Sequence, residues 1–130
     1  MRPRESPDIM RAELTALIVD DEPDVCYLLS AILKNRNLRT NFVNSINEAK
    51  RALREGTPSL IFLDNHLPDG YGLDFIEEIK KEHPLAKIIM ITAFDAHDDR
   101  ENAYSEGVDY FIGKPFTREV IFQTLETLLP

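Results

Sequence analysis

The chain has 130 residues, of which 43% are hydrophobic, and this size and composition fit one globular domain with a core of its own. It carries 15 Lys and Arg against 23 Asp and Glu, a formal charge of −8, and it has no Lys- or Arg-rich run. Because nucleic-acid binding depends on basic contacts to phosphates, we expect no direct nucleic-acid binding by this chain. The only cysteine, Cys26, excludes an internal disulfide and favours a reducing compartment.

The first 13 residues contain two prolines and three arginines but no apolar stretch of signal-peptide length. We interpret residues 1–13 as a flexible N-terminal tail and residues 14–130 as a single domain. No apolar run anywhere approaches the roughly 20 residues that span a membrane. The sequence therefore predicts a cytoplasmic protein without a membrane contact.

Short apolar runs alternate with amphipathic stretches along the domain. Four of these runs are typical of buried parallel strands, at residues 17–19, 60–63, 88–91 and 110–113. The more polar residues 39–43 predict a fifth strand at the edge of the sheet. This pattern predicts a (βα)5 chain, and right-handed crossovers make it a doubly wound parallel α/β sheet.

Five helices are predicted between and after the strands. The first follows Pro23 and should bury Val25, Leu28, Leu29, Ile32 and Leu33, which recur at helical spacing. The second begins at the capping box 45–48, and the third follows the turn at 67–72, with Leu73, Ile76 and Ile79 facing inward. The fourth, from about 98 to 106, offers little more than Ala103 for burial, and the fifth begins at Thr117.

Each of the four apolar strands ends at a polar residue. In a parallel sheet these strand ends lie on one edge, which is where open α/β folds bind their ligands. The residues at the four ends are Asp20 and Asp21, Asp64, Thr92, and Lys114. Three carboxylates, a hydroxyl and an ammonium at one edge suit a divalent metal and a phosphoryl group.

The same residues give the chain a resemblance to a known family. From about Leu14 to Leu129 it resembles the receiver domain of bacterial two-component response regulators. The matching motifs are Val19-Asp20-Asp21, Asp64 with Leu67-Pro68-Asp69-Gly70 after it, Thr92-Ala93, and Lys114-Pro115-Phe116. The resemblance implies a flavodoxin-like fold with strand order 2-1-3-4-5, which brings the first and third strands together.

The resemblance also implies a phosphorelay function. Asp64 would accept a phosphoryl group from a sensor histidine kinase or a histidine phosphotransfer protein. Magnesium, or alternatively manganese, would be held directly by Asp21, Asp64 and the backbone carbonyl of His66, and Asp20 would act through water or as a further ligand. The domain would be no enzyme in the usual sense, since it would catalyse only its own phosphorylation and dephosphorylation.

Four further residues would contact the phosphoryl group or respond to it. Lys114 and the Thr92 hydroxyl would bind its oxygens, and Ala93 is small enough to leave room for it. Phe111 would turn inward as Thr92 moves, although we expect its apolar ring to lie inward for much of the time before phosphorylation. The surface of helix 4, strand 5 and helix 5 would then engage an output domain or a downstream protein, or a second phosphorylated copy.

The lifetime of the phosphoryl group should depend on two positions that flank the path of attacking water. These are His66, two residues after Asp64, and Phe94, two residues after Thr92. A Phe ring cannot orient a water molecule and can shield the phosphorus. We therefore expect Phe94 to prolong the phosphorylated state.

Two other functions use similar residues. An aspartyl-nucleophile phosphatase needs a second Asp two residues after the first, and this chain has His66 there. A receiver-like interaction module that is never phosphorylated usually lacks one of the acidic, Thr or Lys positions, and none is missing here. The sequence names neither the cognate kinase nor the signal, the output or the oligomeric state, and it leaves open whether the domain stands alone.

Overall fold

The computed structural model describes residues 14–93 and 97–129, except for the side chains of His97 and Asp98. The tail expected at residues 1–13 and the shielding residue Phe94 both lie outside this described part.

A five-stranded parallel sheet forms the centre of the domain. Its strands are β1 (Thr15–Val19), β2 (Arg39–Val43), β3 (Leu60–Leu63), β4 (Lys87–Thr92) and β5 (Tyr110–Gly113). Their order in the sheet is β2-β1-β3-β4-β5, and every neighbouring pair is parallel. The predicted flavodoxin-like order 2-1-3-4-5 is confirmed, so the ends of β1 and β3 are neighbours.

In the part of the chain that the structure describes, five helices connect or follow these strands. They are α1 (Pro23–Lys34), α2 (Ile46–Arg54), α3 (Ile76–Glu82), α4 (His97–Glu106) and α5 (Arg118–Leu128). Between β3 and α3 the chain forms a small hairpin, in which His66–Leu67 pairs antiparallel with Gly70–Tyr71, and then a 3₁₀ turn at Gly72–Phe75. None of the helices in the described residues is both long and apolar enough to cross a bilayer.

The sheet separates two hydrophobic layers. Side chains of alternate strand residues point to opposite faces, so Leu17 and Val19 pack towards α2, α3 and α4, while Ala16 and Ile18 pack towards α1 and α5. All four residues of β3 are buried because helices cover both faces there. This burial, worth about 2 kcal/mol per large side chain, fixes the position at which β3 ends.

Two sequence expectations about the helices are wrong in detail. In α1 the buried residues are Cys26, Leu29, Ile32 and Leu33, whereas Leu28 is 52% exposed. The helix carries more apolar residues than its contact with the sheet can cover, and Leu28 lies beside that contact. The α-helical hydrogen-bonding pattern of α3 begins only at Ile76, because the 3₁₀ turn occupies the positions expected for its first turn. The predicted cap of α2 is confirmed, since the Ser45 hydroxyl accepts the Glu48 N–H at 3.1 Å.

Candidate functional site

The polar residues of the four strand ends lie together at the carboxyl edge of the sheet. The ladder continues one residue past the strands, where Asp20 N–H donates to the Val43 carbonyl at 3.0 Å and Asp64 N–H donates to the Val19 carbonyl at 2.9 Å. Lys114 N–H likewise donates to the Thr92 carbonyl at 2.8 Å. These backbone bonds extend the rigidity of the sheet to the residues that carry the polar side chains.

Three carboxylates form an acidic cluster at this edge. Oxygen atoms of Asp20, Asp21 and Asp64 all lie within 4.8 Å of one another. Asp20 and Asp64 are buried, while Asp21 is exposed and faces the solvent side of the cluster. Carboxylate oxygens are hard donors, and a close set of them is what a magnesium ion prefers, so the residues fit such an ion.

Lys114 supplies positive charge beside the cluster. Its Nζ lies 2.9 Å from Asp20 Oδ2, 3.7 Å from Asp64 Oδ2 and 2.6 Å from Glu22 Oε1. The Lys114 side chain is only 10% exposed, so its charge acts on Asp20 and Asp64 with little solvent screening. The ammonium is therefore close to the oxygen at which a group bound to Asp64 would sit.

Burial and charge shift the pKa values of these groups. Burial, together with the neighbouring Asp20 charge, raises the pKa of Asp64 to about 6, although Lys114 opposes the change. Burial also raises the pKa of Asp20. Burial alone would lower the pKa of Lys114, but its contacts with Asp20 and Glu22 outweigh this effect and raise it. The site therefore places two buried acidic side chains, each with a raised pKa, beside one ammonium.

Glu22 is a site residue that the sequence analysis missed. It directly follows the two aspartates, yet its partner Lys114 lies 92 positions further along the chain. Its backbone N–H donates to Asp20 Oδ1 at 2.9 Å, which also orients the buried Asp20 carboxylate. Its place after Asp20-Asp21 was the available signal, since any acidic residue there must lie near the strand ends.

Hydrogen bonds within the loop after β3 hold Asp64 in place. Asn65 N–H donates to Asp64 Oδ1 at 2.9 Å, and the Asn65 backbone and side-chain oxygens accept from Gly72 N–H and Leu73 N–H at 2.8 and 2.9 Å. A Cβ atom at Gly72 would overlap the backbone carbonyl of Asp64. Glycine at this position is what lets the returning chain pack so close to the backbone of Asp64.

The hairpin in the same loop is tied to α2. Both carboxylate oxygens of Asp69 accept backbone hydrogen bonds at 2.9 Å, one from Ile46 N–H and the other from Asn47 N–H. These contacts hold the pKa of Asp69 below its usual value. Asp69 thus caps the first turn of α2 from another part of the chain and holds the hairpin that carries His66.

The site opens to solvent through a small cavity of about 230 Å³. It is lined by Asp21, Glu22, Asp64, His66, Thr92, Ala93 and Lys114. The His66 ring is exposed and packs edge-on against Tyr71 at 5.5 Å between centroids. Ala93 is exposed and Thr92 is buried at the end of β4. Of the site residues expected from sequence, the structure therefore brings together all that it describes, apart from Phe111, which lies deeper.

Phe111 is buried in the layer beneath α4, with 4% of its surface exposed. Its backbone N–H donates to the Tyr104 hydroxyl at 3.1 Å, and the Arg100 guanidinium lies 4.8 Å from the centre of its ring. The ring therefore lies inward in this structure, as expected for an apolar side chain at this position.

The fold and the acidic edge together define a signalling domain of the receiver type. The chain belongs to the response regulator receiver domain family, whose model matches residues 16–126. It is accordingly a receiver domain of two-component response regulators.

Curated relatives and solved structures agree with this assignment. The chain is 39% identical over 100 residues to the response regulator protein PilR of Pseudomonas aeruginosa, covering 77% of this chain and 22% of PilR. It is 33% identical over 116 residues to the probable transcriptional regulatory protein TcrX of Mycobacterium tuberculosis, covering 89% of this chain and 50% of TcrX. The chain thus spans between about a fifth and a half of the length of these relatives.

Among solved structures, the beryllofluoride-activated NtrC4 receiver domain dimer is 32% identical, with a TM-score of 0.83 and coverage of 88% of this chain and 94% of that one. A two-component response regulator from Clostridium difficile has a TM-score of 0.86 at 24% identity, covering 90% of this chain and 96% of that one. The second similarity supports the fold.

Proposed function

We propose that residues 14–130 form a phosphoacceptor domain, in which Asp64 receives a phosphoryl group from a sensor histidine kinase or a histidine phosphotransfer protein. The observation that carries this proposal is the Asp64 carboxylate, which is buried at the end of β3 close to Asp20 and Lys114 and still borders an open cavity. Family membership supports the same assignment.

The transfer needs a nucleophile and a leaving group. One Asp64 carboxylate oxygen attacks phosphorus and forms a new O–P bond, giving an acyl phosphate. The P–N bond of the donor phosphohistidine breaks, and its electron pair leaves with the imidazole. With acetyl phosphate as donor, the P–O bond to acetate breaks instead. Deprotonated Asp64 is the reactive form, and with a pKa of about 6 it predominates at neutral pH.

Asp20, Asp21 and Asp64, with the backbone carbonyl of His66, are the groups that would hold magnesium or manganese. When bound, the ion supplies positive charge that offsets the three carboxylates and the charge on the phosphoryl oxygens. The three carboxylates lie close together and repel one another, and a bound ion would reduce this repulsion. The chain's own residues do the rest of the positioning.

Lys114 would hold one phosphoryl oxygen through its ammonium, because Nζ already lies 3.7 Å from Asp64 Oδ2. The Thr92 hydroxyl would donate to a second oxygen, and Ala93 leaves space between them. Thr92 and Phe111 line the same small cavity. A shift of Thr92 towards the phosphoryl group would therefore change the packing around Phe111. Because Phe111 is already inward, activation would shift a population rather than create a new state.

The shift would change how strongly partners bind to the surface formed by α4, β5 and α5. These partners would be an output domain, a downstream protein or a second phosphorylated copy of the domain. The dimer described for the activated NtrC4 receiver domain supports the last of these. His66 would tune loss of the phosphoryl group at the cavity mouth, and Phe94, which lies outside the described residues, would tune it from the other side.

Intact-mass spectrometry after incubation with acetyl phosphate and magnesium tests the proposal. We expect one added phosphate on the wild type and none on Asp64→Asn. The matched control is Asp74→Asn, which removes an exposed carboxylate in the following 3₁₀ turn and should accept phosphate normally. Equal labelling of Asp64→Asn would exclude Asp64 as the acceptor, and no labelling of the wild type would favour an interaction module that is not phosphorylated.

A further inference from the structure

Glu22 is a carboxylate at the acidic edge to which the proposed phosphoryl chemistry gives no role. Its Oε1 lies 2.6 Å from Lys114 Nζ, closer than the Asp20 and Asp64 oxygens at 2.9 and 3.7 Å. Its side chain is 57% exposed, whereas those of Asp20 and Asp64 are 0% and 6% exposed. The shortest contact of Lys114 is therefore with the carboxylate that is freest to move into solvent.

The backbone of Glu22 is fixed while its side chain is not. Its N–H donates to Asp20 Oδ1 at 2.9 Å, and its carbonyl accepts from Cys26 N–H at 3.2 Å at the start of α1. Rotation of the side chain can thus release Lys114 without disturbing α1. Because the Glu22 carboxylate is exposed, water can replace it as the partner of Lys114.

A lysine ammonium has three donors on a flexible stem, and a donor held by one anion is not available to another. A phosphoryl group on Asp64 would draw on the same ammonium, which already contacts Asp20 at 2.9 Å and Glu22 at 2.6 Å. We propose that Glu22 is a positioning residue that competes with the phosphoryl group for Lys114 and so weakens phosphoryl binding. This inference rests on the proposed function of Asp64.

Beryllofluoride, which stands in for a phosphoryl group on Asp64, gives a direct binding test in the presence of magnesium. We expect Glu22→Gln to lower the beryllofluoride concentration at half-saturation by about two- to fivefold, the range of an exposed ion pair. The control is Asp24→Asn, which removes one negative charge from the same end of α1. Asp24 forms no ion pair with Lys114, and its variant should bind as the wild type does.

A second measurement reports on Lys114 without any phosphoryl stand-in. The ¹⁵N resonance of the Lys114 ammonium should shift in Glu22→Gln and stay in place in Asp24→Asn. An unshifted resonance, an unchanged beryllofluoride midpoint, or an equal effect of both substitutions would overturn the role of Glu22. If the wild type itself neither binds beryllofluoride nor accepts phosphate on Asp64, the proposed function fails and this inference fails with it.

Discussion

The side chains of Asp20 and Asp64 are two buried carboxylates that share one cation, since the Lys114 ammonium lies 2.9 Å from Asp20 and 3.7 Å from Asp64. Two like charges about 4 Å apart repel by roughly 4 kcal/mol at an effective dielectric constant near 20. One ammonium offsets only part of the repulsion, and burial adds a desolvation cost to each carboxylate. The metal-free site is thus held in an unfavourable charge state by the surrounding fold.

This charge state predicts an unusual dependence of stability on pH. The pKa of Asp64 is about 6 in the folded domain, against an ordinary value of 3.8. As the pH falls from 7 towards 4, folded Asp64 takes up a proton before the unfolded chain does, so the free energy of unfolding rises. Relative to Asp64→Asn, the metal-free wild type should gain about 1 kcal/mol between pH 7 and pH 5.

Urea unfolding of both proteins at the two pH values, with a chelator present, measures this difference. The comparison with Asp64→Asn removes the contributions that the other titrating groups make equally to both proteins. A wild type that loses stability relative to the variant on acidification would show that the Asp64 pKa is not raised.

At the scale of the secondary-structure elements, Asp69 joins the loop after β3 to the first turn of α2. It accepts from Ile46 N–H and Asn47 N–H, which have no acceptor within their own helix at that position. Asp69→Ala should therefore speed hydrogen exchange of these two amides several-fold. It should also loosen the hairpin that carries His66, because the carboxylate is its tie to α2.

Hydrogen exchange followed by NMR checks this prediction residue by residue. The control is Asp74→Ala, which removes an exposed carboxylate from the adjacent 3₁₀ turn. Unchanged exchange at Ile46 and Asn47 in Asp69→Ala would mean that water replaces the carboxylate at no cost.

Elements buried on both sides were the most predictable from sequence. β3 appears as an uninterrupted apolar run that stops at Asp64, and parallel topology then forces its end to lie beside that of β1. Leu28 was misplaced because α1 has more apolar residues than buried positions. No sequence pattern predicts the ion pair between Glu22 and Lys114, because an exposed carboxylate pairs with whichever cation the fold brings near it.

At the scale of the whole molecule, a metal bound at the acidic edge would couple metal binding to folding. A metal that binds only the folded domain stabilises it by about 1.4 kcal/mol at ten times its dissociation constant, or roughly 5 °C in Tm for a domain of this size. We expect magnesium to raise the Tm of the wild type accordingly. At the same magnesium concentration, Asp21→Asn should lose most of this rise.

Asp21 is exposed, so its substitution should change the metal-free unfolding free energy by less than about 0.5 kcal/mol. Thermal melts with magnesium and with a chelator separate the two effects, and Asp24→Asn serves as the charge-matched control. A full magnesium-dependent rise in Asp21→Asn would exclude Asp21 as a ligand.

The close approach at Gly72 has a consequence for which substitutions the domain can tolerate. Even alanine there would press on the carbonyl of Asp64, so the strain would arise at the backbone of the reactive residue itself. In a library covering every position, Gly72 should therefore tolerate no other residue, although it lies eight positions from Asp64 and bears no reactive group. Lack of space beside the Asp64 carbonyl, rather than any reactive group, would thus keep this position glycine in related sequences.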